Sequence, residues 1–221
     1  MDLKAFLSNP KQAPISIVLV LGGLAYFGAA ELGLALASLN PHVAPAAPAA
    51  GLAVALLIVF GRRAWPAVTL GALAAHGLAG GGLGVALPIA AGDTLAALAG
   101  QLVLSHHLRW HGEKLPLGTT LGYAAASLLA AVISASIGLE TLHLAGALSD
   151  GSGVSIWLTW WTGHALGLFL LVPALLSLME RDWQGTVVSI RVVPVDDAAN
   201  GLEIPVSVSS VTFAGSIPMP Y

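Results

Sequence analysis

The sequence has no cysteine, only eight Lys and Arg against eleven Asp and Glu, and few aromatic residues for its 221 positions. The missing cysteines exclude disulfides, thiolate metal sites and thiol nucleophiles. The sparse basic residues stand in ones and twos with a net charge of −3, so there is no stripe that follows a phosphate backbone, and nucleic acid is not expected as a partner. Also missing are a G-x-S-x-G elbow, a P-loop, an H-E-x-x-H pair and the kinase signatures, which leaves no catalytic constellation and points to a non-enzymatic protein. Gly80-Gly81-Gly82 reads as a flexible turn rather than a phosphate cradle.

What is present is apolar. Hydrophobic residues make up 57% of the chain, charged residues 9%, and the mean hydropathy is +0.86, so most of the surface must face something other than water. The expectation is an all-α polytopic membrane protein.

A span needs roughly 20 apolar residues. Six stretches qualify or come near: Ile15–Leu36, Pro45–Phe60, Ala64–Ala79, Val85–Leu104, Thr120–Leu142 and Ile156–Leu178. The second and third reach only about 24 Å at the helical rise, so each is little tilted or starts in a re-entrant segment. The first is too long for a signal-peptide core and reads as an anchor. Placing residues 1–14 on the cytoplasmic side puts Lys4, Lys11, Arg62, Arg63, Arg109, Lys114, Arg181 and Arg191 all inside, which accounts for every Lys and Arg in a six-span domain over 15–180. Residues 181–221 differ in kind. Val187–Val195 and Glu203–Phe213 read as two strands around Asn200-Gly201, a β-hairpin-like cytoplasmic tail. Such a hairpin is too small for its own core and is expected to dock on the membrane domain, another subunit or a further domain.

Ionisable residues within a span are costly and are functional candidates by default. Glu31, His76, Asp93 and His164 qualify. Glu31 and His76 lie near span ends, where snorkelling or interfacial placement accounts for them. Asp93 lies nearer mid-span, and its carboxylate needs a donor. His164 follows Trp157, Trp160 and Trp161, which read as an aromatic interface anchor. Gly163 and Gly167 form a small-residue face for close helix packing. Together with Gly92 they suggest that the fourth and sixth spans meet so that His164 pairs with Asp93. No metal site or cofactor is implied.

Several segments, in order, resemble the first-described class of the membrane-associated sensor (MASE) family, the input module of bacterial histidine kinases and diguanylate cyclases. They are Ala25–Gly33, Gly51–Leu57 leading to Phe60–Pro66, Leu70–Ala72, Gly92–Leu98 and Trp157–Pro173. The resemblance covers about residues 15–180. It implies a sensory input module in the bacterial cytoplasmic membrane that works through a signalling output. Two departures stand out: the family usually carries an acid where this chain has His164, and the tryptophan expected before the second span is missing from His42–Pro45. The leading expectation is a sensor or docking module whose partners are lipids, an output protein, other membrane proteins or a second copy of the chain. An accessory subunit of a larger membrane complex, such as a bioenergetic one, and a small-molecule or proton transporter are the alternatives.

Overall fold

Within hydrocarbon every backbone N–H and C=O must be bonded inside the protein, and a helix achieves that within one segment. The computed structural model describes residues 10–37, 40–108, 117–148 and 151–180, and among these every regular element is helical. In chain order they are α1 (Ile15–Leu34), α2 (Pro48–Val59), α3 (Trp65–Leu78), α4 (Gly82–Leu108), α5 (Leu117–Leu144), α6 (Gly153–Leu166) and α7 (Val172–Glu180), the last two joined by a π-helical turn at Gly167–Leu171. The chain divides into Met1–Ser177 and Leu178–Tyr221. Of the second unit only the end of α7 is described, so the β-hairpin expected over 181–221 lies outside the described residues.

Among the described residues four helices are long and apolar enough to cross a membrane: Ile15–Leu34, Gly82–Leu104, Thr120–Leu144 and Gly153–Leu178. The other two expected spans form shorter helices. α2 has 12 residues and α3 has 14, about 18 and 21 Å at the helical rise and well below a roughly 30 Å hydrocarbon core. Pro48 starts α2 at its first turn, where a missing N–H costs nothing. The residues before it are not helical, and three of them are buried. His42, Val43 and Ala47 are enclosed, and the Ala47 amide donates to the Gly163 carbonyl at 3.2 Å. Irregular backbone of this kind is tolerated in a membrane protein where protein covers it.

The bundle is small inside and large outside. Ala67, Ala72, Ala75, Ala86, Ala90, Ala131 and Ala135 are fully buried, whereas Leu24, Leu32, Leu129 and Leu170 are exposed. Lipid tails are as apolar as leucine, so sequestering leucine gains little; close backbone approach gains dispersion contacts instead. The closest approaches fall at glycines. A Cβ on Gly71 would meet the Gly23 carbonyl at 2.7 Å and the Tyr26 side chain at 2.9 Å, on α1. Cβ atoms on Gly51 and Gly167 would collide with the Gly167 and Ala47 carbonyls, and one on Gly163 would lie 2.5 Å from the Ala44 carbonyl. Gly163 and Gly167 therefore pack on α2 and its lead-in, not on α4 as the spacing suggested; Gly92 faces Ile137 of α5 instead.

The π turn has a local cause. Pro173 has no N–H, and its ring excludes the carbonyl four residues back, so the helix widens just before it. The Tyr123 hydroxyl takes up the Leu168 carbonyl at 2.7 Å.

Gly167→Ala is expected to destabilise the bundle by about 1–3 kcal/mol through overpacking. Gly28→Ala, which meets nothing within 4 Å, is expected to be neutral or slightly stabilising. Unfolding of the two variants in the same detergent checks this; equal stability would contradict the packing described at Gly167.

Candidate functional site

Asp93 on α4 is buried, and its carboxylate is bonded on both oxygens. The Tyr26 hydroxyl of α1 donates to Oδ2 at 3.0 Å. His76 Nε2 of α3 lies 3.4 Å from the same oxygen. The Ser134 hydroxyl of α5 donates to Oδ1 at 2.5 Å, and His164 Nε2 of α6 lies 3.2 Å from it. One side chain thus joins α4 to four other helices. Charge-assisted hydrogen bonds are about twice as strong as neutral ones, and a carboxylate removed from water requires them.

The second layer is aromatic. Trp160 is enclosed, with its indole N–H donating to Ser134 Oγ at 3.1 Å. Its ring lies on His76, with centroids 6.2 Å apart and planes at 22°, and tilts against His164 at 6.3 Å and 35°. Gly138 makes the space, since a Cβ there would collide with the six-membered ring of Trp160. His42, from the segment between α1 and α2, closes the other side. Its Nδ1 lies 3.3 Å from His76 Nδ1.

These contacts constrain the tautomers. With Nε2–H of His76 directed at the carboxylate, His76 Nδ1 is the acceptor and His42 Nδ1 carries the hydrogen. His164 Nδ1 is buried without a partner among the described residues, which fits a lone pair better than an N–H there. Burial, and then the nearby His76, push the His42 imidazole down to about 4.

Of the four candidate residues, the structure brings together Asp93, His164 and His76. Glu31 stands apart, half-buried in a cleft with Leu34, Asn40, Pro41 and Leu78. The tryptophans need a correction. Trp160 is not an interface anchor; it faces inward because Gly138 leaves room and Ser134 accepts its N–H. Trp157 and Trp161 remain toward the outside, stacked 5.6 Å apart, and bond Ser136 and the Leu128 carbonyl of α5. Tyr26, Ser134 and His42 were not singled out from the sequence. Tyr26 had a usable signal, because a phenol within an apolar helix needs a partner for its hydroxyl.

Ser134, His164 and Asp93 include the residue types of a hydrolytic triad but not its geometry. Ser134 and Asp93 both approach the same ring nitrogen, Nε2, at 3.1 and 3.2 Å, while Nδ1 is free, and the serine hydroxyl is buried. Among the described residues no group of three or more His, Cys, Asp or Glu is placed to hold a metal.

Apolar helices, small-residue seams and one buried polar cluster define an integral membrane helical bundle without the geometry of a hydrolytic site. The chain belongs to the MASE1 family of membrane-associated sensor domains, whose family model matches residues 18–217. The match continues past residue 180, where the resemblance read from the sequence stopped. No curated protein and no solved structure matches the chain.

Asp93→Ala leaves Tyr26, His76, Ser134 and His164 without their shared acceptor and is expected to cost about 3–5 kcal/mol, the range for breaking a buried charge pair. Tyr26→Phe alone is expected to cost about 1 kcal/mol, and almost nothing once Asp93 is alanine. A double-mutant cycle on unfolding free energies reads that coupling; additive costs would contradict the bond.

Proposed function

We propose that the chain is a non-catalytic sensor input module of the bacterial cytoplasmic membrane, in which the Asp93 cluster converts a local change into helix displacement read by a partner. The observation that carries this reading is the junction itself: α1, α3, α5 and α6 each place a donor on one carboxylate of α4. Any event that adds a proton, removes a donor or shifts an imidazole changes restraints on five helices at once. A small change is amplified because packed helices have discrete arrangements. The misaligned serine, histidine and aspartate favour a structural and sensory use of those residues over a reaction.

The lysine and arginine distribution supports a six-segment topology with both termini cytoplasmic, in which α2 with its lead-in and α3 make the two short crossings. A β-rich tail over 181–221 serves in this reading as the connection to an output protein, another membrane protein or a second copy of the chain. Lipids cover the exposed leucines. The Lys and Arg of the sequence stand in ones and twos and offer nucleic acid no basic stripe.

Mild-detergent extraction followed by mass spectrometry tests the reading. The expected result is the chain alone, as a dimer, or with a signalling output protein. A stoichiometric set of other membrane subunits would replace the sensor with an accessory subunit.

The acid side of the stability profile tests whether the cluster answers to protons. The native state holds His42 neutral down to about pH 4, whereas an imidazole in the unfolded chain takes up its proton near 6.5. The unfolded state therefore binds more protons between those values, and stability present above about pH 6.5 is lost as pH falls toward 4. Among the described residues, His76 is the titratable group bonded to His42, with Asp93 behind it. His42→Gln is expected to flatten this part of the profile, read as the difference in melting temperature between wild type and variant at pH 7.5 and pH 5. Parallel profiles would rule His42 out as the responding group.

A further inference from the structure

The cleft that holds Glu31 lies at the C-terminal ends of α1 and α3, walled by Leu34, Ala35, Ala37, Pro41, Leu78 and Ala79, with a volume of about 470 Å³. Glu31 supplies its formal charge. No ion pair of Glu31 is found among the described residues, and no Lys or Arg occurs in the sequence between Lys11 and Arg62 or between Arg63 and Arg109. The two helix ends add partial negative charge on the same side; the last turn of α1 has no basic residue, and that of α3 has only His76, which is bonded to Asp93. Carboxylate, helix C-termini and a lining that mixes polar atoms with the side chains of Leu34 and Leu78 complement a cationic head on a short apolar tail.

The cleft also touches the buried cluster through the backbone. Asn40 and Pro41 form part of its wall, and His42 follows directly. The Asn40 side chain accepts the His42 amide at 3.0 Å and donates to the Ala147 carbonyl at 3.2 Å, and its carbonyl accepts the Val43 amide at 2.9 Å. His42 Nδ1 then meets His76, and His76 meets Asp93. A group seated against Asn40 and Pro41 thereby bears on the residue that closes one side of the cluster.

We propose that this cleft binds a primary ammonium carried on an apolar chain, with Glu31 as its counter-ion, and that occupancy is passed to His42 through the Asn40–Pro41 turn. The consequence for signalling rests on the sensor reading above; the site itself does not. The ammonium can belong to a free alkylamine or to the headgroup of an amino-phospholipid.

The test uses the full chain in nanodiscs of pure phosphatidylcholine, with n-hexylammonium as the probe and n-hexanol as its uncharged counterpart. Hexylammonium is expected to raise the unfolding temperature saturably and to shift the His42 signal in a ¹⁵N-histidine spectrum, assigned by its loss in H42Q. Hexanol is expected to do neither. E31Q, which must unfold at the wild-type temperature without probe, is expected to weaken hexylammonium binding about tenfold, the scale of one lost charge-assisted hydrogen bond. Equal effects of hexanol, or equal affinity in E31Q, would overturn the site. Binding that depends on Glu31 while the His42 signal stays fixed would overturn the link to the cluster. Repeating the titration in discs containing phosphatidylethanolamine separates the sources: reduced apparent affinity assigns the cleft to the lipid amine, unchanged affinity to a soluble one. None of these readouts needs a partner protein, so recovery of the chain as a subunit of another assembly would sink the sensor reading and leave this site standing.

Discussion

A carboxylate enclosed by apolar helices tolerates only arrangements in which both oxygens are bonded, and Asp93 imposes that condition on the whole bundle. Four helices meet it by presenting one donor each. The alternatives to the native packing are correspondingly poor, because sliding any of those helices by one turn, about 5.4 Å, strips a donor from a group that has no water to replace it. Dispersion between alanines is nearly indifferent to such a shift. The polar junction therefore fixes register together with the glycine contacts, where a displaced neighbour would set a side chain against a carbonyl or a ring.

Closeness matters at the same place. The donors to Asp93 are short or stiff, a serine, a tyrosine and two histidines, and they reach because Gly71 lets α3 lie against Tyr26 of α1 and Gly92 lets α4 lie against Ile137 of α5. Trp160 follows the same logic from outside the carboxylate. It is the largest enclosed side chain among the described residues, and it fits over Gly138, where it covers both imidazoles and holds Ser134 by its N–H. The widening at Gly167–Leu171 and the non-helical lead-in before α2 are local irregularities in which the Leu168 carbonyl is taken up by Tyr123 and the Ala47 amide by Gly163. Bonds of this kind are what hydrocarbon requires where a helix is interrupted.

The helical membrane class and the charged members of the cluster could be read from the sequence because their cost is local: an aspartate or histidine within an apolar run is conspicuous wherever the chain folds. Ser134 was harder to see, since serine hydroxyls are common in apolar helices and bond their own backbone there, as Ser127 does to Tyr123. His42 lay between runs, and only the tertiary fold brings it to His76. Trp160 shows a further limit. An indole at the end of an apolar helix looks the same in sequence whether its N–H faces headgroups or a buried serine, and the deciding residue, Gly138, is 22 positions away on another helix. The expectation of six spans rested on apolar run lengths and the Lys and Arg pattern, which do not register that Ala44–Ala47 is a non-helical lead-in and that α2 has only 12 residues.

Replacing His164 by an acid shows what its imidazole contributes to the junction. An acid at this place would stand within about one hydrogen bond of Asp93, and two carboxylates in one buried site would have to share a proton. An imidazole donates to the carboxylate instead of competing with it, so Asp93 remains the single acceptor toward which the donors converge. The two imidazoles that contact it are not equivalent. Among the described residues His164 Nδ1 has no partner, whereas beyond His76 the polar contacts continue to His42 and the Asn40 turn. His164, between Trp160 and Ser134 beside the Gly163 packing seam, is therefore the place where the Asp93 junction and the close packing of α6 meet.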